Sequence, residues 1–113
     1  MITVAHIRLG MQQLLAEIEK ARTPRVASLT AADAQDIRVE LLTKVQKIID
    51  ELFEVRNAKQ LAAEGQTHLY RALMNAIKAQ NSILNDASLD EIQAMLEETD
   101  AELSQAQQPK ENR

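Results

Sequence analysis

The stretch from Thr30 to Glu64 contains neither proline nor glycine, and it limits what the rest of the chain can do. Its apolar residues Leu41, Val45, Ile48, Leu52 and Val55 alternate steps of four and three. That is the spacing of one helix face and of a coiled-coil seam. Leu42, Ile49 and Phe53 add a second, adjacent row, so the apolar face is broad enough to touch two neighbours. A helix over the whole stretch would run about 50 Å at 1.5 Å per residue. A compact domain of this size has a radius of gyration of only about 13 Å. Either the helix breaks, or the molecule is elongated, or a second chain covers the overhang.

The expected break is Gly65. The segment Ala63-Glu64-Gly65-Gln66-Thr67 offers a glycine C-cap followed by a threonine N-cap, which would end one helix near Glu64 and start the next at His68. The competing reading is one continuous helix, because the four-three spacing runs on formally through Lys59, Ala62, Gln66, Leu69 and Leu73. Lys59 and Gln66 are poor seam residues, so the break is preferred.

Composition supports helices throughout. Aromatic residues are 2% of the chain, there are only two glycines and two prolines, and Ala, Leu and Ile dominate, while β-branched and aromatic residues, which favour strands, show no sustained alternation. A first helix is expected from Thr3 to Ala21, where Val4, Ile7, Met11, Leu14, Ile18 and Ala21 alternate steps of three and four. Gly10 either marks a close helix crossing or is a tolerated surface residue. Pro24 ends this helix, and residues 22–29 form a linker. Thr30, with Asp33 three residues on, reads as the N-cap of the second helix. The third helix, His68 to Leu84, carries Leu69, Leu73, Ala76, Ile77 and Ile83 as its stripe, with Tyr70 and Met74 on the flank. Ser88 and Glu91 make a capping box for a fourth helix, Leu89 to Ser104, with Leu89, Ile92, Leu96 and Leu103 as its seam. Short connections favour antiparallel neighbours. The expected fold is all-α: an antiparallel bundle of about four helices with one dominant long helix. Residues 1–104 form a single helical domain, and 105–113 a disordered polar tail.

Several classes of chemistry lack their ingredients. With no cysteine there is no disulfide, thiolate metal site or thiol catalysis. The first fifteen residues lack a basic leader and no run of eighteen apolar residues occurs, so a soluble, cytoplasmic protein without a membrane span is expected. A dimetal bundle needs Glu-x-x-His motifs, and the nearest pair, Glu64 and His68, has no further ligands. The serines stand in linkers, helix faces and caps, and two isolated glycines cannot make a phosphate loop. Catalytic, cofactor and metal sites are therefore all expected to be absent, and the protein is read as a non-enzyme.

The net charge is −4, and every charged residue from Asp86 to Glu102 is acidic, which repels phosphate backbones. Lys20, Arg22 and Arg25 form a small basic cluster that complements the end of the first helix. A nucleic-acid-associated regulator using those three residues is the alternative reading. The leading one is a self-associating helical interaction module: an adaptor, a small chaperone-like binder, an inhibitor or an assembly subunit, phage-encoded versions included. Its core or interface would be Leu41, Val45, Ile48, Leu52 and Val55 with Met11, Leu14 and Ile18 of the first helix, in a homo-oligomer or against another protein.

Overall fold

A computed structural model describes residues 2–22, 31–59, 61–85 and 87–107, and of residues 21, 22 and 31–36 it describes the backbone alone. Four helices account for nearly all of them: α1 (Val4–Arg22), α2 (Ala31–Ala58), α3 (Ala63–Leu84) and α4 (Leu89–Gln107). Side-chain pairs fix their directions. His6 meets Glu51 and Glu17 meets Lys44 across α1 and α2, while Gln46 meets Gln80 across α2 and α3. His68 meets Glu102 across α3 and α4, and Arg8 meets Asp100 across α1 and α4. In each helix pair a residue early in one helix lies beside one late in the other, for α2 and α3 the pair being Arg56 and Tyr70. The bundle is therefore up-down-up-down, and every adjacent pair is antiparallel. Among the described residues, the diagonal pairs do not touch at the backbone.

The long helix does break, but not at Gly65. α2 ends at Ala58, and the chain reverses between Lys59 and Ala62. Lys59 adopts a left-handed conformation (φ 53°) and its N–H donates to the Arg56 carbonyl at 3.2 Å. That is a C-terminal turn in which glycine is the usual occupant. Gly65 lies instead inside the first turns of α3, and Thr67, expected as an N-cap, donates its hydroxyl to the Ala63 carbonyl. A Cβ at position 65 would sit 3.1 Å from Leu61 Cβ and 3.5 Å from the Ala106 carbonyl oxygen. The glycine serves close approach, not chain reversal. The molecule is also elongated, 53 × 23 × 22 Å with a radius of gyration of 15.1 Å.

Smaller boundary shifts have similar causes. α1 runs through Arg22, and α4 continues to Gln107, past the expected limit at Ser104, because Ala106 is buried there. The expected N-cap Thr30, most of the linker and residues 108–113 lie outside the described residues. The Ser88 box forms as expected: the Glu91 N–H donates to Ser88 Oγ at 3.2 Å, and the Ser88 N–H to Glu91 Oε1 at 3.3 Å.

The two halves of the bundle are packed differently. α3 packs most extensively on α4, where Ala72, Ala76 and Ala79 are fully buried and keep the backbones close. α1 and α2 meet least extensively, and between them runs a groove of about 230 Å³ that includes Gly10 and Ile48. A Cβ on Gly10 would meet nothing within 4 Å. Gly10→Ala should therefore recover helix propensity without a clash, stabilising the fold by about 0.5–1 kcal/mol. A thermal melt checks this, and a lowered midpoint would show that α1 and α2 close more tightly than described.

Candidate interaction surface

Each of α2 and α3 carries two apolar stripes; one is spent in the core, and the other touches it only through the half-buried Leu42 and Ile77. On α2 the first stripe is Leu41, Val45, Ile48, Leu52 and Val55, all at most 5% exposed. Met11, Leu14 and Ile18 of α1 are at most 2% exposed. The eight side chains expected at a core or interface thus lie in the interior of one chain. A second copy could reach most of them only by opening the bundle, though Leu14 and Ile48 border the surface groove between α1 and α2.

The second stripe faces outward. On α2 it is Val39, Leu42, Gln46 and Phe53, with steps of three, four and seven; on α3 it is Tyr70, Met74, Ile77 and Leu84, with steps of four, three and seven. The two rows run antiparallel, side by side. Arg56 stacks over the Tyr70 ring at 5.9 Å from its centroid, the Gln80 amide donates to Gln46 Oε1, and Leu42 and Leu84 line one hollow of about 480 Å³. Among the described residues six large apolar side chains are exposed: Leu9, Val39, Phe53, Tyr70, Met74 and Leu84. Five of those six belong to this one face, and they include the only phenylalanine and the only tyrosine in the chain. Ordinary exposed hydrophobes are scattered singly, whereas contiguous ones mark contact surfaces.

The face has a charged rim. From Gly65 to Leu84 the chain holds no acidic residue, and Arg71 and Lys78 are exposed. At the α2–α3 turn Arg56, Lys59, Gln66 and Tyr70 line a second hollow of about 570 Å³. Asp50 is the acid on this side of α2, where it accepts a hydrogen bond from Gln46 Nε2 at 3.0 Å. The opposite side of the molecule is different: α4 carries only acidic charges, and the large apolar side chains of α4 are all turned inward.

The remaining candidates are dispersed. His68 does not join Glu64; its Nδ1 lies 2.7 Å from Glu102 Oε1 and ties α3 to α4. His6 Nε2 lies 3.3 Å from Glu51 Oε2, a carboxylate that is itself buried. Among the described residues no group of three or more His, Asp or Glu is placed to hold a metal ion. Lys20 is exposed near the end of α1, and the Arg22 side chain and Arg25 lie outside the described residues. No described helix is long and apolar enough to cross a membrane.

The outward rows were partly visible in the spacing, as Leu42 and Phe53 of the second row and the Tyr70, Met74 flank; Ile49, expected with that row, is buried in the core instead. What spacing alone does not contain is which of two adjacent stripes a neighbouring helix will cover. No protein-family model matches this chain, and neither a curated protein nor a solved structure matches it.

Proposed function

We propose that this protein is a non-enzymatic interaction module of the cytoplasm, an adaptor, small chaperone-like binder, inhibitor or assembly subunit, that works through the outer face of α2 and α3. The observation that supports this is the pair of outward apolar rows lying side by side, Val39 to Phe53 against Tyr70 to Leu84. Aromatic residues, methionine and arginine are enriched where protein interfaces form, and Phe53, Tyr70, Met74 and Arg56 supply all of these. Leu42 and Ile77 also pack against the core from this side, whereas Val39, Phe53, Tyr70, Met74 and Leu84 are exposed. Self-association, if it occurs, would use this same face, because the inner stripes are already covered.

A photoreactive phenylalanine analogue placed at Phe53 or at Met74 tests the proposal in living cells. Discrete cross-linked adducts are expected from both positions and none from Ala101, which is exposed on α4. An adduct at twice the 12.7 kDa protomer mass would mean self-association, and one at another mass a different partner. No adduct from either position, or the same adducts from Ala101, would sink the reading.

A further inference from the structure

We infer that the occupant of the α2/α3 face is an amphipathic helix of a partner protein with an acidic end, its carboxylates seated between Arg56 and Lys59 at the α2–α3 turn. The inference rests on the α2/α3 face being the working surface and adds what that surface takes.

The form of the occupant follows from the backbone. Away from the α2–α3 turn the segments flanking this face are helical, so most of their N–H and C=O groups are already paired within helices. A strand would find no sheet edge to extend, and its own backbone groups would meet apolar side chains. A helix brings its backbone hydrogen bonds with it and presents only side chains. The face runs from the hollow at Leu42 and Leu84 to the hollow at Arg56 and Tyr70, roughly four turns of helix at 3.6 residues per turn. Apolar side chains spaced i, i+4, i+7 and i+11 would lie along it.

The charge follows from the rim. Arg56 and Lys59 are both exposed at the turn, and neither has a carboxylate partner among the described residues. The hollow they line also takes in Ala63, Gln66 and Thr67 from the first turns of α3, where the N-cap is Ala62 and no side chain caps the helix. Gln66 Nε2 is buried in that wall and donates to nothing there. Cations and a helix start therefore meet at one hollow, and both favour an anion, with Glu64 the one acid in the first turn of α3. Arg71 and Lys78 continue the positive rim along α3.

A second copy of this chain fits less well. Face to face, it would bring two rims of the same sign together, each holding Arg56, Arg71 and Lys78, and like charges across an interface weaken it. Nucleic acid would supply the negative charge but not the apolar side chains that the groove floor requires.

The probe is a synthetic amphipathic helix with leucines at i, i+4, i+7 and i+11 and two terminal glutamates, compared with a twin ending in glutamines. By fluorescence anisotropy at low salt, the glutamate peptide should bind at least about tenfold tighter than its twin, the yield of one well-placed charge contact. That advantage should shrink as salt rises and vanish in an Arg56→Gln, Lys59→Gln double variant. Both peptides should lose binding to a Phe53→Ser, Met74→Ser variant. These four positions are exposed, so circular dichroism melts near that of the unaltered protein should confirm that each variant is folded. Equal binding of the two peptides, or an advantage that survives the double variant, overturns the carboxylate seat and leaves the α2/α3 face standing. Binding that ignores Phe53→Ser, Met74→Ser overturns both. Binding of neither peptide, together with cross-linked protomer pairs from position 53, gives the face to a second copy and overturns the inference; with no such pairs it overturns the inference as well.

Discussion

Replacing Leu52 by aspartate is expected to unfold the protein at room temperature. Leu52 is fully buried, in the stripe that α2 turns toward the other helices. Removing the isobutyl group alone costs about 2–5 kcal/mol, because the core around it cannot fully collapse. The carboxylate must then either stay charged in an apolar site or take up a proton, and an unpaired buried charge adds several kcal/mol more. A domain of this kind is stable by only about 5–15 kcal/mol, so the sum consumes most or all of it. Far-UV circular dichroism should show the loss of helix, and no cooperative melt should remain. A variant that melts within a few degrees of the unaltered protein would mean that this stripe is not the core. Ile48→Asp is the informative comparison. Ile48 also lies in the core stripe, but it forms part of the wall of the open α1/α2 groove, which Lys44 and Lys47 border. A carboxylate there can turn toward water and those ammonium groups. It should destabilise clearly while leaving a folded fraction, whereas Leu52→Asp should not.

The same contrast explains how far residue spacing reaches. Alternating steps of three and four located four helices and the buried stripes of α1 and α2 residue by residue, because a 3.6-residue repeat has few other ways to gather apolar side chains. The capping box at Ser88 and Glu91 was legible because both partners are local in sequence. The end of α2 was not. Lys59 takes the left-handed turn that glycine usually takes, while the nearby Gly65 is kept small for the approach of Leu61 and the Ala106 carbonyl. A glycine in a sequence does not say which of these two uses it has. Thr99 was missed for a related reason: its hydroxyl satisfies itself on the Met95 carbonyl at 2.8 Å, so a polar residue fills a fully buried seam position of α4. The outward rows needed the tertiary structure most. Phe53 and Leu52 are neighbours in sequence, and only the placement of α3 and α1 decides that one is covered and the other is not.

Ala79→Leu should destabilise the bundle although it only adds apolar atoms. Ala72, Ala76 and Ala79 recur at steps of four and three, and all three are fully buried. With methyl side chains only, α3 can lie close against α4, and this is the most extensive helix pair in the molecule. Three extra carbons at position 79 have no cavity to enter, so the helices must part or the side chain must leave its preferred rotamer. Overpacking of this kind costs about 1–3 kcal/mol, and in a domain near this size each kcal/mol lowers the melting point by roughly 4 °C or more. Ala101→Leu, on the exposed side of α4, makes the same chemical change and should stay within about 0.5 kcal/mol of the unaltered protein. If the two variants melt together, α3 and α4 are not held by their alanines. If they separate as expected, a consequence follows for the outer face. Moving α3 away from α4 shifts Tyr70 and Met74 relative to Phe53, so cross-linking from position 53 should fall in Ala79→Leu at temperatures where the variant is still fully helical. Full cross-linking in that variant would show that the outer rows tolerate the shift and that the alanines serve stability alone.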